Sequence, residues 1–511
     1  MIILDPRDTG QGAKEDRYEG ITLRHPQAAF TRSSSPLPDY DASEAQHWGI
    51  VDNSKDDLVG VSKKKNRLLS PRVLRFAFLA LSVYAVLSII AVVTFVIIKH
   101  KQKMEASLWN NNPPSLWATE DKDYTSQLQI PNVGPPLALE DNKTCNVWQT
   151  FTGVENGASS NFSLPPSGLI SIRSNATYNA QAATQIGGML SVYTNKDVLQ
   201  KNILLSVNLQ ASSSELLNRT NVCFSLKGLD RGLSIYVPPN LTAGDYLNLN
   251  IKVALPQTDF RVNNFVTYLP MLRQTFYKLY EDAYFDHFGL EGAGSPISCK
   301  YLQASQISIK NIGASIEGAF NVTNALSLDT VKGSVSSDVT LTSPPYIVQP
   351  GLLSINTGDS PIDANITLQS HPSQSKVSSS SPPAFVAKVS NFNAPMKLKV
   401  SHSTNTTQAL QLMVINNSAE TSVNLDSAFA GTFSAKTKMS RVTVSGLGPN
   451  STNSTSHDKV SSRTVMYKQN TVDAVVGWTG WNTNPPMRNS HKAQSYVDVV
   501  SALGPVSLSF G

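Results

Sequence analysis

Glu281, Asp282, Asp286 and His287 cluster in the sequence. Carboxylates held close together bind calcium or divide into the acid and base of a glycosidase. The spacing here fits no calcium loop, so the group reads as a solvated end of an element. Trp478 and Trp481 stand three residues apart in "VVGWTGWNTNPP". An exposed indole can stack on a sugar ring through its broad apolar face, so both are candidates for sugar contact. His287, His371, His402, His457 and His491 are scattered, mostly in polar surroundings. Cys145, Cys223 and Cys299 match no zinc spacing, and any two of them could form a disulfide with the third left as a thiol. The chain contains no His-Glu-x-x-His, Gly-x-Ser-x-Gly, phosphate-loop or dinucleotide pattern. The expectation is no catalytic residue, no metal and no cofactor.

The elements that would position these residues begin with an apolar run. Phe76 to Ile98 carries no charge over 23 residues. As a helix it reaches about 34 Å, enough to cross a hydrocarbon core of about 30 Å. Lys63, Lys64, Lys65, Arg67, Arg72 and Arg75 precede it, against Lys99, Lys101 and Lys103 after it. The larger basic cluster stays cytoplasmic. The expected topology is therefore a signal anchor with the N-terminus inside and the C-terminal part extracellular or luminal, in the plasma membrane. Asn-x-Ser/Thr sequons agree. Asn142, Asn161, Asn175, Asn218, Asn240, Asn321, Asn365, Asn405, Asn416, Asn450 and Asn453 all follow the span, as do the cysteines. The net charge of +5 is read as a partner for anionic lipid beside the span, not for nucleic acid.

Residues 1–75 read as a disordered cytoplasmic tail ending in the basic cluster, 76–98 as the transmembrane helix, 99–144 as a Pro- and Asn-rich stalk, and 145–511 as a glycosylated β-rich ectodomain. Charged residues make up only 15 %, which favours a secreted β protein over a cytosolic enzyme. Short alternating runs such as "GLISIRS", "NILLSVNLQ" and "YLNLNIKVAL" predict strands. "PMLRQTFYKLYEDAYF" predicts one covering helix, with Leu272, Phe276, Leu279 and Ala283 on one face. Residues 370–385 predict a Ser/Pro-rich loop.

A repeat supplies the architecture. Ile307, Ile309, Ile316 and Phe320 precede Leu326, Leu328, Val335 and Val339 by a constant 19 residues, and "VDVVSALGPVSLSF" echoes the same spacing near residue 500. A period near 19 suits one coil of a β-solenoid, and a β-sandwich of regular hairpins is the alternative. Gly313 and Gly333 fall at the turns, where a positive φ would explain glycine.

"FVTYLPMLRQTF", "ISIKNIGASIEGAF", "LSLDTVKGSV" and "VSALGPVSLSF" together resemble uncharacterised fungal single-pass surface glycoproteins, whose domain is similar to adhesin-type β-strand repeats of bacteria. The turn in that family usually reads Thr-x-Asn-Gly. Here Lys332 replaces the asparagine in Thr330-Val331-Lys332-Gly333. The resemblance brings no catalytic residue and no ligand. Together with the apolar span, the sequons and the missing catalytic patterns, the expectation is a membrane-anchored protein that displays a β domain for structural or adhesive contact with cell-wall glycans or surface proteins. A carbohydrate-active β-helix enzyme and a receptor signalling through its tail are the alternatives.

Overall fold

A computed structural model describes residues 144–150, 156–179, 182–225, 230–257, 260–279, 283–343, 350–369, 383–403, 409–446, 463–481 and 495–511. The predicted tail, membrane span and nearly all of the stalk lie outside these residues, as does most of the Ser/Pro-rich loop. No helix among the described residues is long and apolar enough to cross a membrane.

The described part is overwhelmingly β. Its first strands are β1 (Thr144–Cys145), β2 (Gln149–Thr150), β3 (Gly157–Leu164), β4 (Leu169–Ser174), β5 (Ile186–Thr194), β6 (Ile203–Ala211), β7 (Asn221–Ser225), β8 (Asp230–Tyr236) and β9 (Leu247–Leu255). The short helices α1 (Ala182–Gln185) and α2 (Ser214–Arg219) lie among them. Next come β10 (Phe260–Tyr268), β11 (Arg273–Lys278), β12 (Ala283–Gly292), β13 (Ile297–Asn311), β14 (Ile316–Thr330), β15 (Val335–Thr342), β16 (Gly351–Thr357), β17 (Ile362–Gln369), β18 (Phe385–Asn391) and β19 (Met396–His402). The last are β20 (Leu410–Asn416), β21 (Thr421–Leu425), β22 (Gly431–Thr437), β23 (Val442–Ser445), β24 (Arg463–Asn470), β25 (Ala474–Trp481), β26 (Ser495–Ser501) and β27 (Val506–Phe510).

These strands stack as two parallel ladders. The first runs β8, β4, β10, β12, the far half of β13, the far half of β14, β16, β18, β20, β26, β22. The second runs β9, β5, β11, the near half of β13, the near half of β14, β15, β17, β19, β21, β27, β23. A rung is one strand of the first ladder, a turn, and one strand of the second. Alternation sends Leu326, Leu328, Val335 and Val339 inward, where each is at most 1 % exposed. Inward residues of both ladders form one continuous core. Phe265, Phe276, Phe285 and Phe288 pack together within it in edge and stacked contacts.

From β10 to β27 every rung turns in four residues, 312–315 and 331–334 among them. From β13 onward the residue before each turn is small or polar and packed inside: Asn311, Thr330, Thr357, Asn391, Asn416, Thr437 and Ser501 are all at most 5 % exposed. Such groups need partners, and the turn backbones supply them for the amide and hydroxyl groups below, though not for Asn311 Oδ1 and Asn416 Oδ1. Asn311 Nδ2 donates to Ser295 O at 3.0 Å in the preceding turn, Asn391 Nδ2 to Ser360 O at 2.9 Å, and Asn416 Nδ2 to Ala394 O at 3.1 Å. Thr330 and Ser501 serve their own turns, Thr330 Oγ1 accepting from Gly333 N at 2.9 Å and Ser501 Oγ from Gly504 N at 3.0 Å, while Thr437 Oγ1 donates to Gly504 O at 3.0 Å in the neighbouring turn.

Chain order and spatial order part at both ends. β4 and β5 lie between the β8/β9 and β10/β11 rungs, and β26 and β27 lie between the β20/β21 and β22/β23 rungs. Antiparallel strands then cover the ladder ends. β7 pairs with β8, β6 with β9, and β25 with β22. A disulfide joins Cys145 to Cys223 across β1 and β7, and Cys299 is a free, buried thiol.

Two expectations are corrected. The covering helix is absent: Arg273–Lys278 and Ala283–Gly292 are strands β11 and β12. Leu272, Phe276, Leu279 and Ala283 are all buried, Leu272 and Phe276 as alternate inward residues leading into β11, Leu279 just after that strand and Ala283 at the start of β12, not because they share a helical face. Gly333 is not among the glycines with positive φ, which are Gly168, Gly188, Gly232 and Gly446. Its requirement is space, since a Cβ there would sit 1.8 Å from Ala314 O in the turn below.

Candidate binding face

The outward residues of the second ladder make an open polar face. One row reads Ser298, Glu317, Ser336, Asp363, Lys397, Ser422. The next reads Ala319, Asp338, Asn365, Lys399, Asn424. Strands about 4.8 Å apart repeat each side chain at that spacing. Ala319 carries little side chain, so the face dips there into a groove of about 360 Å³. Glu317, Asp338, Asp363, Asn365 and Lys300 wall it. Asn365 Nδ2 donates to Asp338 Oδ1 at 2.8 Å, and Lys300 Nζ lies over the Tyr277 ring at 5.5 Å. The groove is thus acidic in its middle, with Lys300 on one side and Lys397 and Lys399 on the other. It is open and shallow, and suits a polar chain laid across several rungs.

The first ladder carries a charged row of its own. Glu291, Lys310, Asp329, Asn356 and Ser390 are stacked partners. Asn356 Nδ2 donates to Asp329 Oδ1 at 3.0 Å, and Ser390 Oγ to Asn356 Oδ1 at 2.8 Å. Burial pushes the Glu291 and Asp329 carboxyls above the ordinary carboxylate value, and Lys310 between them opposes that shift.

A third polar group closes the other end of the stack. His402 Nδ1 lies 2.9 Å from Asp426 Oδ1, with the His402 side chain only 5 % exposed. Arg463 stacks between Trp481 and Phe510, and donates to Phe429 O at 3.0 Å and Thr479 Oγ1 at 2.9 Å. Burial alone would raise the Asp426 carboxyl. Hydrogen bonds from the His402 ring and backbone N–H outweigh it, leaving Asp426 below its ordinary value. A carboxyl depressed on folding contributes stability above its unfolded value near pH 4, and that contribution is lost as pH falls through the lower folded value. The urea midpoint should therefore fall more steeply below about pH 4 in the wild type than in Asp426→Asn. Equal slopes for the two proteins would remove this role from the pair.

Among the described residues no group of His, Cys, Asp or Glu could hold a metal ion. Glu281 and Asp282 lie outside the described residues, as do His371, His457 and His491. Asp286 pairs with Arg261, with Nε at 2.9 Å, and His287 stands beside it, both half-buried between the inward Phe285 and Phe288. Trp478 and Trp481 do not share a face, being three apart in β25. Trp481 is anchored by its Nε1–H to Ser427 O at 2.8 Å. Of the sequon asparagines, Asn161, Asn218, Asn240 and Asn365 are exposed, and Asn321 is half-buried on the second ladder. Asn175 is tied to Val237 by two hydrogen bonds, and Asn416 is 1 % exposed within the turn row. Asn142, Asn405, Asn450 and Asn453 lie outside the described residues. The His402–Asp426 pair and the groove carried no sequence signal, because both depend on which rungs become neighbours.

No protein-family profile matches the chain. No curated protein matches it either. Solved structures do. One is a "putative adhesin" from Parabacteroides merdae, at 6 % identity and a TM-score of 0.24, covering 53 % of this chain and 92 % of that one. Another, from Parabacteroides distasonis, is also described as a "putative adhesin", at 8 % identity and 0.23, covering 70 % and 98 %. A "putative cell adhesion protein" from Clostridium sporogenes has 10 % identity and 0.14, covering 70 % and 100 %.

Proposed function

We propose that this chain is a membrane-anchored β-solenoid that adheres through the outer face of its second ladder and does not catalyse. The groove walled by Glu317, Asp338, Asp363, Asn365 and Lys300 carries this reading. Its side chains repeat along the stack, as binding to a polymer requires, instead of converging on one reacting atom, as catalysis requires. The segment 76–98 is the anchor; Asn161, Asn218 and Asn240 can carry sugars outside the groove, whereas Asn365, which walls it, must stay unmodified for the groove to bind. Each contact is weak, and clustering in the membrane supplies avidity. The test is full-length protein in lipid vesicles at high and low surface density, with capture of cells or insoluble wall polysaccharide as the readout. Capture should rise steeply with density and drop at least tenfold in Glu317→Lys/Asp363→Lys. Capture independent of density, capture unchanged in the variant, or turnover of the polysaccharide would each overturn the proposal.

A further inference from the structure

The connection from β5 to β6 carries the most exposed large apolar side chain among the described residues. Leu199 is 87 % exposed, and Val198 beside it 56 %. The two occupy the central positions of a turn: Asp197 O accepts from Gln200 N at 3.2 Å, and Asp197 Oδ1 accepts from Leu199 N at 3.0 Å. Such positions usually hold Gly, Pro, Asn, Asp or Ser. A valine and a leucine there add nothing to the fold, since neither belongs to the core. The turn is nonetheless well fixed. Asn195 Oδ1 accepts from Asp197 N at 3.1 Å, and Asn195 N donates to Leu255 O at 2.6 Å at the end of β9. The loop is pinned to the sheet at its base and stiff at its tip.

The charges beside the tip are basic. Lys196 and Lys201 are exposed on either side of it. Asp197 is the only acid from residue 195 to residue 202, and one of its oxygens is engaged by the Leu199 backbone. No Asn-x-Ser/Thr sequon falls in the loop to cover it with sugar. Its place in the fold matters as well. β6 lies beyond β9 at the N-terminal end of the stack, and β1, where the chain enters at Thr144, lies beyond β8 and β7 at that same end.

We propose that this tip inserts into the headgroup region of the bilayer that anchors the chain, a proposal that rests on reading 76–98 as the anchor. Exposed apolar groups of this kind mark contacts with proteins or membranes. A protein would have to offer a pocket for a protruding leucine, whereas a bilayer yields to it. Val198 and Leu199 reach the boundary with the acyl chains, where apolar side chains leave water. Lys196 and Lys201 keep their ammonium groups at the level of the lipid phosphates and donate to them. Two side chains would hold a free protein only weakly. A tethered domain is already at the surface, so a weak contact suffices to orient it. The tip is separate from the groove on the second ladder and stands whether or not that groove binds.

The experiment is fluorescence quenching on the full-length protein in vesicles of phosphatidylcholine and phosphatidylserine. A dye on Asn202→Cys, exposed beside the tip, reads the loop. A dye on Met439→Cys, 78 % exposed in the turn between β22 and β23 at the other end of the stack, reads exposure alone. The native cysteines do not compete for dye, being a disulfide and a buried thiol. Lipid carrying a headgroup nitroxide should quench the first dye about fivefold more than the second. Val198→Asp/Leu199→Asp, which leaves the core untouched, should abolish the difference, and Lys196→Glu/Lys201→Glu should reduce it about twofold. Protein stripped from the vesicles by alkaline carbonate would overturn the anchor and this proposal together. Protein that stays bound but is quenched equally at both sites, or as strongly in Val198→Asp/Leu199→Asp, would overturn this proposal alone. So would energy transfer between the tips of two molecules without lipid quenching, which would assign the tip to a second copy of the chain.

Discussion

Removing residues 495–511 should unfold the C-terminal rungs while the stack before them persists. That segment supplies β26 and β27, and both have parallel neighbours on two sides. Val497, Val499 and Leu508 are fully buried, and Tyr496, Val506 and Phe510 nearly so. Burying each large apolar side chain is worth about 1.5–3 kcal/mol. Their sum rivals the 5–15 kcal/mol that holds a typical domain together. The loss also strips β22 and β23 of their only ladder partners on that side, so the hairpin β24–β25 has nothing ordered to cover. Hydrogen exchange should show amides from Gly431 to Trp481 losing protection, while those from Ile297 to Leu341 keep theirs, because rungs interact mainly with neighbours. Undiminished protection from Gly431 to Trp481 would mean that the last segment is not an interior rung.

Gly333→Ala should cost about 1–3 kcal/mol, the range for forcing an atom into a packed position. The added Cβ would stand 1.8 Å from Ala314 O and 2.3 Å from Ala314 C, both backbone atoms that move only with the whole turn. Gly313→Ala is the control. Its Cβ would lie 3.2 Å from Ala293 O, a contact relieved by a shift of a few tenths of an ångström. Chemical denaturation should therefore separate the two variants clearly. A neutral Gly333→Ala beside a costly Gly313→Ala would reverse the account.

The β character was legible because inward and outward residues alternate in nearly every run, as in Ile307/Ile309 and Val335/Val339. The rung length was legible only where nothing interrupts it. Stacked partners lie 19 residues apart from Ile316 to Val335, but 27 from Val335 to Ile362 and 34 from Ile362 to Met396. Turns on one edge stay at four residues while connections on the other vary in length, and this hides the period. The false helix has a different origin. Leu272, Gln274 and Phe276 are alternate inward residues leading into β11, and an i, i+4 apolar pair is common to a strand face and a helical turn. The terminal echo at Val499 and Gly504 did mark a true rung, yet no local pattern could say that it slots in ahead of β22. The candidate sites were the least legible. The pair His402 and Asp426 acquires its surroundings only from residues tens of positions away.

The displaced rung at the N-terminal end also bears on force. Under tension applied along the chain, a strand at the end of a stack would peel away one hydrogen bond at a time. β4 cannot. It is held by β8 on one edge and β10 on the other, so tension along it must slide it out between two neighbours and break both rows of bonds together. Cys145–Cys223 ties β1 to β7, which lies against β8, so pull entering near residue 145 is shared with the rung on the far side of β4. The chain is loaded in shear where it would otherwise unzip.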